Sequence, residues 1–197
     1  MIVGLTGGIA SGKSTVSNIL KSFGIYIADA DKIAKDLGNS EDVIKEIQEK
    51  ISQDILDDKN NIDRVKLKNI VFSDKSKLEV LNSIFHPKIK DELKKIKLNS
   101  SKNDIIIFDV PLLFETDIYK MCDKNILVYV DEEIQLERLI LRDKITRELA
   151  KKIIDSQMSL EEKKLKSDIL IENNGTIVEL EEKVEIVYKK ILNEIEK

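Results

Sequence analysis

The sequence has little of what disulfide-bonded, membrane-spanning or nucleic-acid-binding proteins need. Its 197 residues include one cysteine, which cannot form an intramolecular disulfide. Lys and Arg total 33 against 37 Asp and Glu, and a net charge of −4 argues against a broad basic surface for nucleic acid or an anionic membrane. No apolar run approaches the roughly 20 residues of a membrane span. We therefore expect no nucleic-acid partner, no membrane partner and a cytoplasmic location.

What the sequence does contain is the composition of an ordinary globular protein, with 42% hydrophobic and 36% charged residues. Five short apolar segments alternate with helical patterns. They are residues 2–6, 25–28, 105–108, 126–130 and 169–171. Continuously apolar strands separated by helices are typical of a parallel sheet covered by helices on both faces. The predicted fold class is α/β with a five-stranded parallel sheet.

A glycine-rich segment follows the first predicted strand. Residues 7–14 read Gly-Gly-Ile-Ala-Ser-Gly-Lys-Ser and match the phosphate-binding pattern G-x-x-x-x-G-K-[ST]. The backbone N–H groups of such a loop wrap a phosphate chain, and the following helix adds its dipole. We expect Lys13 to reach the β- and γ-phosphates and Ser14 to ligate magnesium. The pattern predicts ATP binding.

Two absences narrow the class of nucleotide-binding protein. The Asn-Lys-x-Asp element that reads guanine in GTP switches does not occur. After the third predicted strand comes Asp109-Val110 rather than the Asp-Glu pair with which motor ATPases polarise water. The sequence therefore favours transfer of a phosphoryl group to an alcohol or a phosphate, not to water.

Three carboxylates follow predicted strands, at the sheet edge where open α/β sheets bind ligands. Asp109 is a candidate to hold a magnesium-bound water or Ser14, and its alternative is a helix or turn cap. Asp29 and Asp31 end the second strand, and one of them could orient and deprotonate an acceptor hydroxyl. Asp31 is equally placed to be the N-cap of a helix over residues 32–37.

Two arginines, Arg138 and Arg142, lie four residues apart on the helix predicted after the fourth strand. Residues at this spacing share a helix face, where like charges repel unless an anion binds them. Arg147, Lys151 and Lys152 continue the positive charge into a predicted mobile lid at about residues 139–165. The alternative is a solvated basic face.

About 75 residues separate the second strand from the third, far more than one crossover needs. Apolar residues at helical spacing predict a helical insertion that holds a second substrate, with Pro87 as the first residue of one helix and His86 as its cap. We predict one kinase domain. Its nucleotide-binding core comprises 1–30 and 104–197, and its acceptor-binding insertion 31–103.

Five segments together resemble the dephospho-CoA kinase family. They are residues 4–15, Asp29-Ala30-Asp31, His86-Pro87, residues 109–115 and Arg142-Asp143. The resemblance runs along nearly the whole chain. It departs at Ala10, where glycine is common, at Lys35, where Arg or His is usual, and at Lys152, where Arg is frequent. Because lysine cannot reproduce a bidentate guanidinium contact, neither lysine is assigned to phosphate.

The resemblance implies a P-loop kinase that moves the γ-phosphate of ATP to the ribose 3′-hydroxyl of dephospho-CoA, the last step of coenzyme A biosynthesis. The catalytic residues would be Asp31, Lys13 and Arg142, and the metal ligands Ser14 and Asp109. The residues at ATP would be Gly7, Gly8, Ile9, Ala10, Ser11, Gly12, Lys13, Ser14, Thr15, Arg138, Arg142, Asn174 and Gly175. The residues at the acceptor would be Asp31, His86, Pro87, Leu113, Phe114 and Glu115.

Two other functions stay open from the residues. A nucleoside or nucleotide monophosphate kinase would share the loop, the sheet and the arginine helix. A nucleotide-binding regulator without catalytic activity would share the loop alone. The sequence leaves the oligomeric state and the choice between Asp29 and Asp31 as the base undecided.

Overall fold

The computed structural model describes residues 1–58, 60–101 and 103–195, and of Phe72 the backbone alone. The chain divides into two compact units. The first comprises Met1–Ala28 with Ser100–Lys197, and the second is Asp29–Asn99.

Five strands form one sheet in the order β2-β3-β1-β4-β5. They are β1 (Ile2–Gly7), β2 (Tyr26–Asp29), β3 (Ile106–Asp109), β4 (Lys124–Tyr129) and β5 (Ile169–Glu172). The central β1 pairs in parallel with β3 and β4, and β4 with β5. Every residue of β1 and β3 is buried, as strands covered on both faces require. The predicted parallel sheet is confirmed, with each strand end within two residues.

Nine α-helices lie within the described residues. They are α1 (Lys13–Ser22), α2 (Ala30–Leu37), α3 (Glu41–Lys50), α4 (Arg64–Ser73), α5 (Lys75–Leu98), α6 (Glu132–Asp143), α7 (Arg147–Asp155), α8 (Leu160–Leu165) and α9 (Ile177–Ile195). None of these helices is long and apolar enough to cross a membrane.

The core of the first unit lies between the sheet and helices α1 and α9. Val16 and Leu20 of α1 and Val184 of α9 are fully buried in the same cluster as the strand side chains. Phe23 and Tyr188 stack with ring centroids 4.9 Å apart at the edge of this cluster. A smaller cluster joins α6 to α7.

The second unit is helical, as predicted, and has a core of its own. Its helices are α2 to α5. The fully or almost fully buried side chains of its core are Val43, Ile47, Ile51, Ile55, Leu67, Val71 and Ile84.

The helix start predicted at Pro87 is wrong. Helix α5 runs without interruption from Lys75 to Leu98, with Pro87 inside it. A proline inside a helix removes one hydrogen bond and costs roughly 3 kcal/mol. Helix α5 buries Ile84 before the proline and Ile89 and Leu93 after it. At about 1.5–3 kcal/mol for each aliphatic side chain, this burial outweighs the cost of the proline.

Candidate active site

The glycine-rich loop joins β1 to α1 and turns tightly at Ser11, whose N–H donates to the Gly8 carbonyl at 3.1 Å. Gly12 has φ 90°, in the left-handed region, and a Cβ there would collide with the side-chain amide of Asn173. That amide lies in the loop after β5 and donates to the Ser11 carbonyl at 2.9 Å. Asn173 therefore fixes the shape of the loop.

Two glutamines hold the tip of the loop. The Ile9 N–H donates to Oε1 of Gln157 at 3.1 Å, and the Ile9 carbonyl accepts from Nε2 of Gln135 at 2.8 Å. The next residue, Ala10, has φ 59°. This left-handed conformation is strained for a residue with a Cβ and explains why glycine suits the position.

The loop lysine is paired with the carboxylate that ends the neighbouring strand. The β1–β3 register places Leu5 beside Asp109, so both strands end at the same sheet edge. Lys13 Nζ donates a hydrogen bond to Asp109 Oδ1, and only 17% and 7% of the two side chains are exposed. A cation and a carboxylate thus adjoin the loop, as a site for phosphate and magnesium needs.

Ser14 and Asp109 are the candidate metal ligands in this unit. Ser14 is exposed in the first turn of α1, whereas Asp109 is buried. No group of three or more His, Cys, Asp or Glu side chains in the described ranges could hold a metal ion. Magnesium in kinases takes one or two protein oxygens and completes its shell with phosphate and water. One hydroxyl and one carboxylate fit a nucleotide-bound ion.

The alternative interpretation of Asp31 as a helix cap is wrong, because Asp29 is the cap. Oδ1 of Asp29 accepts from the N–H of Asp31 at 2.8 Å and of Lys32 at 3.1 Å. Helix α2 therefore begins at Ala30, and Asp31 lies in its first turn.

Asp31 lines a cavity of about 220 Å³ in the second unit. Lys35 and Arg64 also line it, together with apolar side chains that include Leu67 and Phe85. Arg64 donates to the Lys35 carbonyl at 3.3 Å. One carboxylate, two cations and an apolar wall suit a polyanionic ligand with a hydroxyl and an apolar part. Sequence reasoning missed Arg64, because only the fold of the second unit brings it to this cavity.

Arg138 and Arg142 both have protein partners. Arg138 donates from Nη2 to the Asn173 carbonyl at 3.0 Å. Arg142 makes a two-point contact with Asp143, at 2.7 Å from Nε and 3.0 Å from Nη2, which raises the pKa of the guanidinium. Because Asp143 neutralises Arg142, the repulsion expected between the two arginines is weakened.

Two positive charges of α7, Arg147 and Lys151, are paired with carboxylates of α6 and of α7 itself. Arg147 contacts both oxygens of Glu133, at 2.6 and 2.8 Å. Lys151 contacts Glu132 at 2.6 Å and Asp155 at 2.7 Å. This part of the predicted lid therefore has an exposed, ion-paired face.

Two of the three predicted acceptor residues after β3 are buried. Leu113 is 0% and Phe114 3% exposed, and the Phe114 ring packs against the edge of Tyr119. Glu115 is partly exposed, and its Oε1 lies 3.2 Å from Nζ of Lys163. The side chains of Leu113 and Phe114 therefore anchor this segment in the core. Glu115 is the one of the three with a polar group that can contact a ligand.

The remaining predicted site residues lie in both units. In the first, Asn174 Oδ1 accepts from the Asp131 N–H at 2.9 Å, which joins the loop at Asn174-Gly175 to the loop after β4. In the second, His86 is half-buried and Pro87 exposed on α5. Burial lowers the pKa of His86, so the imidazole is neutral at pH 7.

Known proteins are similar to this chain over nearly its whole length. The dephospho-CoA kinase family model matches residues 1–179. The dephospho-CoA kinase of Fusobacterium nucleatum is 55% identical over 94% of this chain and 95% of its own length. That of Carboxydothermus hydrogenoformans is 46% identical over 96% and 93%. The solved structure of dephospho-CoA kinase from Campylobacter jejuni is 34% identical, with a TM-score of 0.75 over 98% of this chain and 97% of that one.

The predicted resemblance is confirmed by these matches, which include both the phosphate loop and the helical second unit. The chain therefore belongs to the dephospho-CoA kinase family.

Proposed function

We propose that this protein transfers the γ-phosphoryl group of ATP to the ribose 3′-hydroxyl of dephospho-CoA, giving coenzyme A and ADP. The observation that carries the proposal is the pairing of Lys13 with Asp109 beside a phosphate loop, in a member of this family. Both substrates are soluble nucleotides, and we expect the reaction in the cytoplasm.

The loop and Lys13 bind the phosphates of ATP in this proposal. Loop N–H groups surround the α- and β-phosphates, and Lys13 reaches the β- and γ-phosphates. Arg138 and Arg142 bring further positive charge on α6. The Asn174-Gly175 loop would lie near the adenine.

Ser14 and Asp109 would hold the magnesium ion. When bound, the ion neutralises charge on the β- and γ-phosphates. Asp109 is held at the end of β3 by the parallel pairing with β1, so its position does not depend on the loop.

Asp31 is the proposed base. The acceptor hydroxyl oxygen forms a bond to the γ-phosphorus while the bond to the β,γ-bridging oxygen breaks and ADP leaves with that electron pair. The hydroxyl proton passes to the Asp31 carboxylate. The choice of Asp31 over Asp29 is supported by their contacts, since Asp29 accepts two backbone hydrogen bonds as a cap while Asp31 lines the cavity.

The same cavity is the proposed place of the acceptor. Arg64 supplies a guanidinium group to its lining, and dephospho-CoA carries a diphosphate close to its ribose. The apolar side chains of Leu67 and Phe85 would contact the uncharged part of the acceptor.

A panel of acceptors tests the function. The protein is incubated with ATP, magnesium and one acceptor at a time, chosen from dephospho-CoA, nucleosides and nucleoside monophosphates, and ADP release is measured. We expect turnover with dephospho-CoA, and a product that phosphorus NMR identifies as the 3′-phosphate. Faster turnover of a nucleoside or its monophosphate would assign the protein to the other kinase class. ATP binding without turnover of any acceptor would indicate a regulator.

A further inference from the structure

Lys163 of α8 is a buried lysine with an incomplete set of partners. Its side chain is 2% exposed. It forms an ion pair with Glu115 at 3.2 Å, but Nζ makes no hydrogen bond of acceptable geometry within the described part of the chain. An ammonium group has three N–H donors, and its burial is unfavourable unless these donors are used. The observed contacts leave donors for a ligand.

Lys163 lines a cavity of about 250 Å³ in the first unit, and Gly8 and Ser11 of the phosphate loop line the same cavity. The Ser11 hydroxyl is also buried and also has no hydrogen-bond partner among the described residues. Two unsatisfied polar groups in one small cavity point to a polar ligand, since buried polar groups in proteins are almost always hydrogen-bonded. A volume below that of typical ligand pockets suits a phosphoryl group better than a whole nucleotide.

Besides Lys163, the charged side chains that line this cavity among the described residues are one cation, which is already paired, and two carboxylates. Lys151 is paired with Glu132 and Asp155, all three of which line the cavity. The charge of Lys163 is opposed by a single carboxylate, Glu115, which is partly exposed. Lys163 and the Ser11 hydroxyl are therefore the lining groups suited to an anion.

We propose that Lys163 is a further phosphate-binding residue, whose Nζ contacts the terminal phosphoryl group of the nucleoside triphosphate held by the loop. The N–H groups of a phosphate loop surround the inner phosphates, so the terminal oxygens need donors from other elements. Lys163 and the Ser11 hydroxyl supply such donors from α8 and the loop, and Glu115 holds the ammonium group in position. This inference rests on the proposed use of a triphosphate.

Binding of nucleotides without an acceptor tests the inference. Dissociation constants are measured for a non-hydrolysable ATP analogue and for ADP, both with magnesium, on the full chain. In Lys163→Met we expect the analogue to bind on the order of 10- to 100-fold more weakly, the usual effect of a lost charged hydrogen bond. ADP should bind within a few-fold of the parent, because it lacks the terminal group. Lys166→Met, which removes an exposed positive charge three residues away, should change neither constant.

A second variant covers the possibility that Lys163→Met leaves Glu115 without its ion-pair partner and does not fold. The double variant Lys163→Met with Glu115→Gln removes both charges, which buried pairs tolerate far better than the loss of one. It should melt near the parent and show the same selective loss of the analogue. Glu115→Gln alone keeps the lysine and a polar side chain beside it, so it should bind the analogue more tightly than either variant that lacks Lys163.

Three results would overturn the inference. The first is a double variant that binds the analogue as tightly as the parent does. The second is a Lys163→Met or double variant that loses as much affinity for ADP as for the analogue. The third is a loss of affinity for the analogue in Lys166→Met as large as that in Lys163→Met. If the parent itself binds no triphosphate, the proposed function is disproved, and with it the inference about Lys163 that rests on it. If the parent binds it and the double variant binds it equally well, the role of Lys163 alone is disproved.

Discussion

Lys13 and Asp109 form an ion pair in which the ammonium group of the phosphate loop donates a hydrogen bond to the carboxylate that ends β3. Both side chains are mostly buried. The two residues proposed to bind phosphate and magnesium are thus partners in the structure. In the proposed reaction, binding of the magnesium nucleotide would replace this contact, with Lys13 contacting phosphate and Asp109 the ion.

Lys13→Ala should remove both activity and some stability. The loss of the loop cation should reduce the rate by at least 10²–10³, as for other removed transition-state contacts. The Asp109 carboxylate, 7% exposed, would be left without its ion-pair partner, and we expect the free energy of unfolding to fall by about 1–3 kcal/mol. Initial rates and denaturant unfolding measure the two effects.

The control for Lys13→Ala is the double variant with Asp109→Asn, which also removes the orphaned charge. It should regain part of the lost stability and none of the lost activity. Parental turnover by either variant would exclude the loop lysine from the reaction.

Asp31→Asn should separate catalysis from helix capping. The amide cannot accept the hydroxyl proton, so we expect a loss of 10²–10⁴ in rate, the usual range for a general base. Stability should change little, because Asp29 caps α2. The measurements are kcat with saturating dephospho-CoA and thermal melting.

The matched variants of that experiment are at Asp29. Asp29→Ala deletes the cap and should cost about 1 kcal/mol of stability, whereas Asp29→Asn should retain it. A rate for Asp31→Asn within a few-fold of the parent, together with a large loss in Asp29→Asn, would move the base to Asp29.

Ala10→Gly and Ala10→Val test the strained loop position. Glycine should relieve the roughly 1–2 kcal/mol of left-handed strain at φ 59°, offset by about 0.5–1 kcal/mol of additional unfolded-state entropy. The net effect should lie between no change and a stabilisation of about 1.5 kcal/mol, with ATP affinity retained or improved. Valine is β-branched and disfavours positive φ, so it should lower both stability and ATP affinity. Equal affinities in the two variants would show that this backbone conformation does not matter for binding.

Arg142→Ala should reduce kcat/KM for ATP on the order of 10-fold or more if α6 supplies charge to the phosphates. Its pair with Asp143 is on the surface, so stability should change by no more than about 1 kcal/mol. Arg147→Ala removes a similarly exposed, carboxylate-paired arginine and should leave kcat/KM nearly unchanged. Equal effects of the two substitutions would indicate that Arg142 belongs to a solvated face.

His86, the single histidine, gives a pH test of the second unit. Burial lowers its pKa in the folded state, so the unfolded chain binds the proton more readily. Its contribution to stability is then complete above the unfolded pKa of about 6.5 and is lost as the pH falls below that value. Between pH 7.5 and 5.5 the parent should therefore lose more stability than His86→Gln. Parallel curves from urea unfolding would contradict this.

The sheet could be predicted from the sequence because a strand buried on both faces must be continuously apolar, as residues 2–6 and 105–108 are. The N-cap at Asp29 could not be predicted from the sequence. Asp29 and Asp31 both suit an N-cap, and the choice between them depends on where α2 starts. The interruption expected at Pro87 reflects a local preference that burial along α5 overrides.

Lys163 and Arg64 could not be identified from the sequence for a different reason. Lys163 lies in the run Glu161-Glu162-Lys163-Lys164, whose composition is that of an exposed helix. Only the packing of α8 shows that this lysine is buried. Arg64 lines its cavity through a fold of the second unit that helical periodicity alone does not specify.

Asn173 contacts the phosphate loop, which lies far from it in the sequence. Its amide fixes the Ser11 carbonyl, 162 residues earlier, and its own carbonyl fixes Arg138. During synthesis the glycine-rich segment leaves the ribosome first, but the partner that sets its conformation follows β5. A nascent chain that already carries Lys13, Asp109 and both arginines would still lack this contact, so the phosphate site can take its final form only after Asn173 has been synthesised.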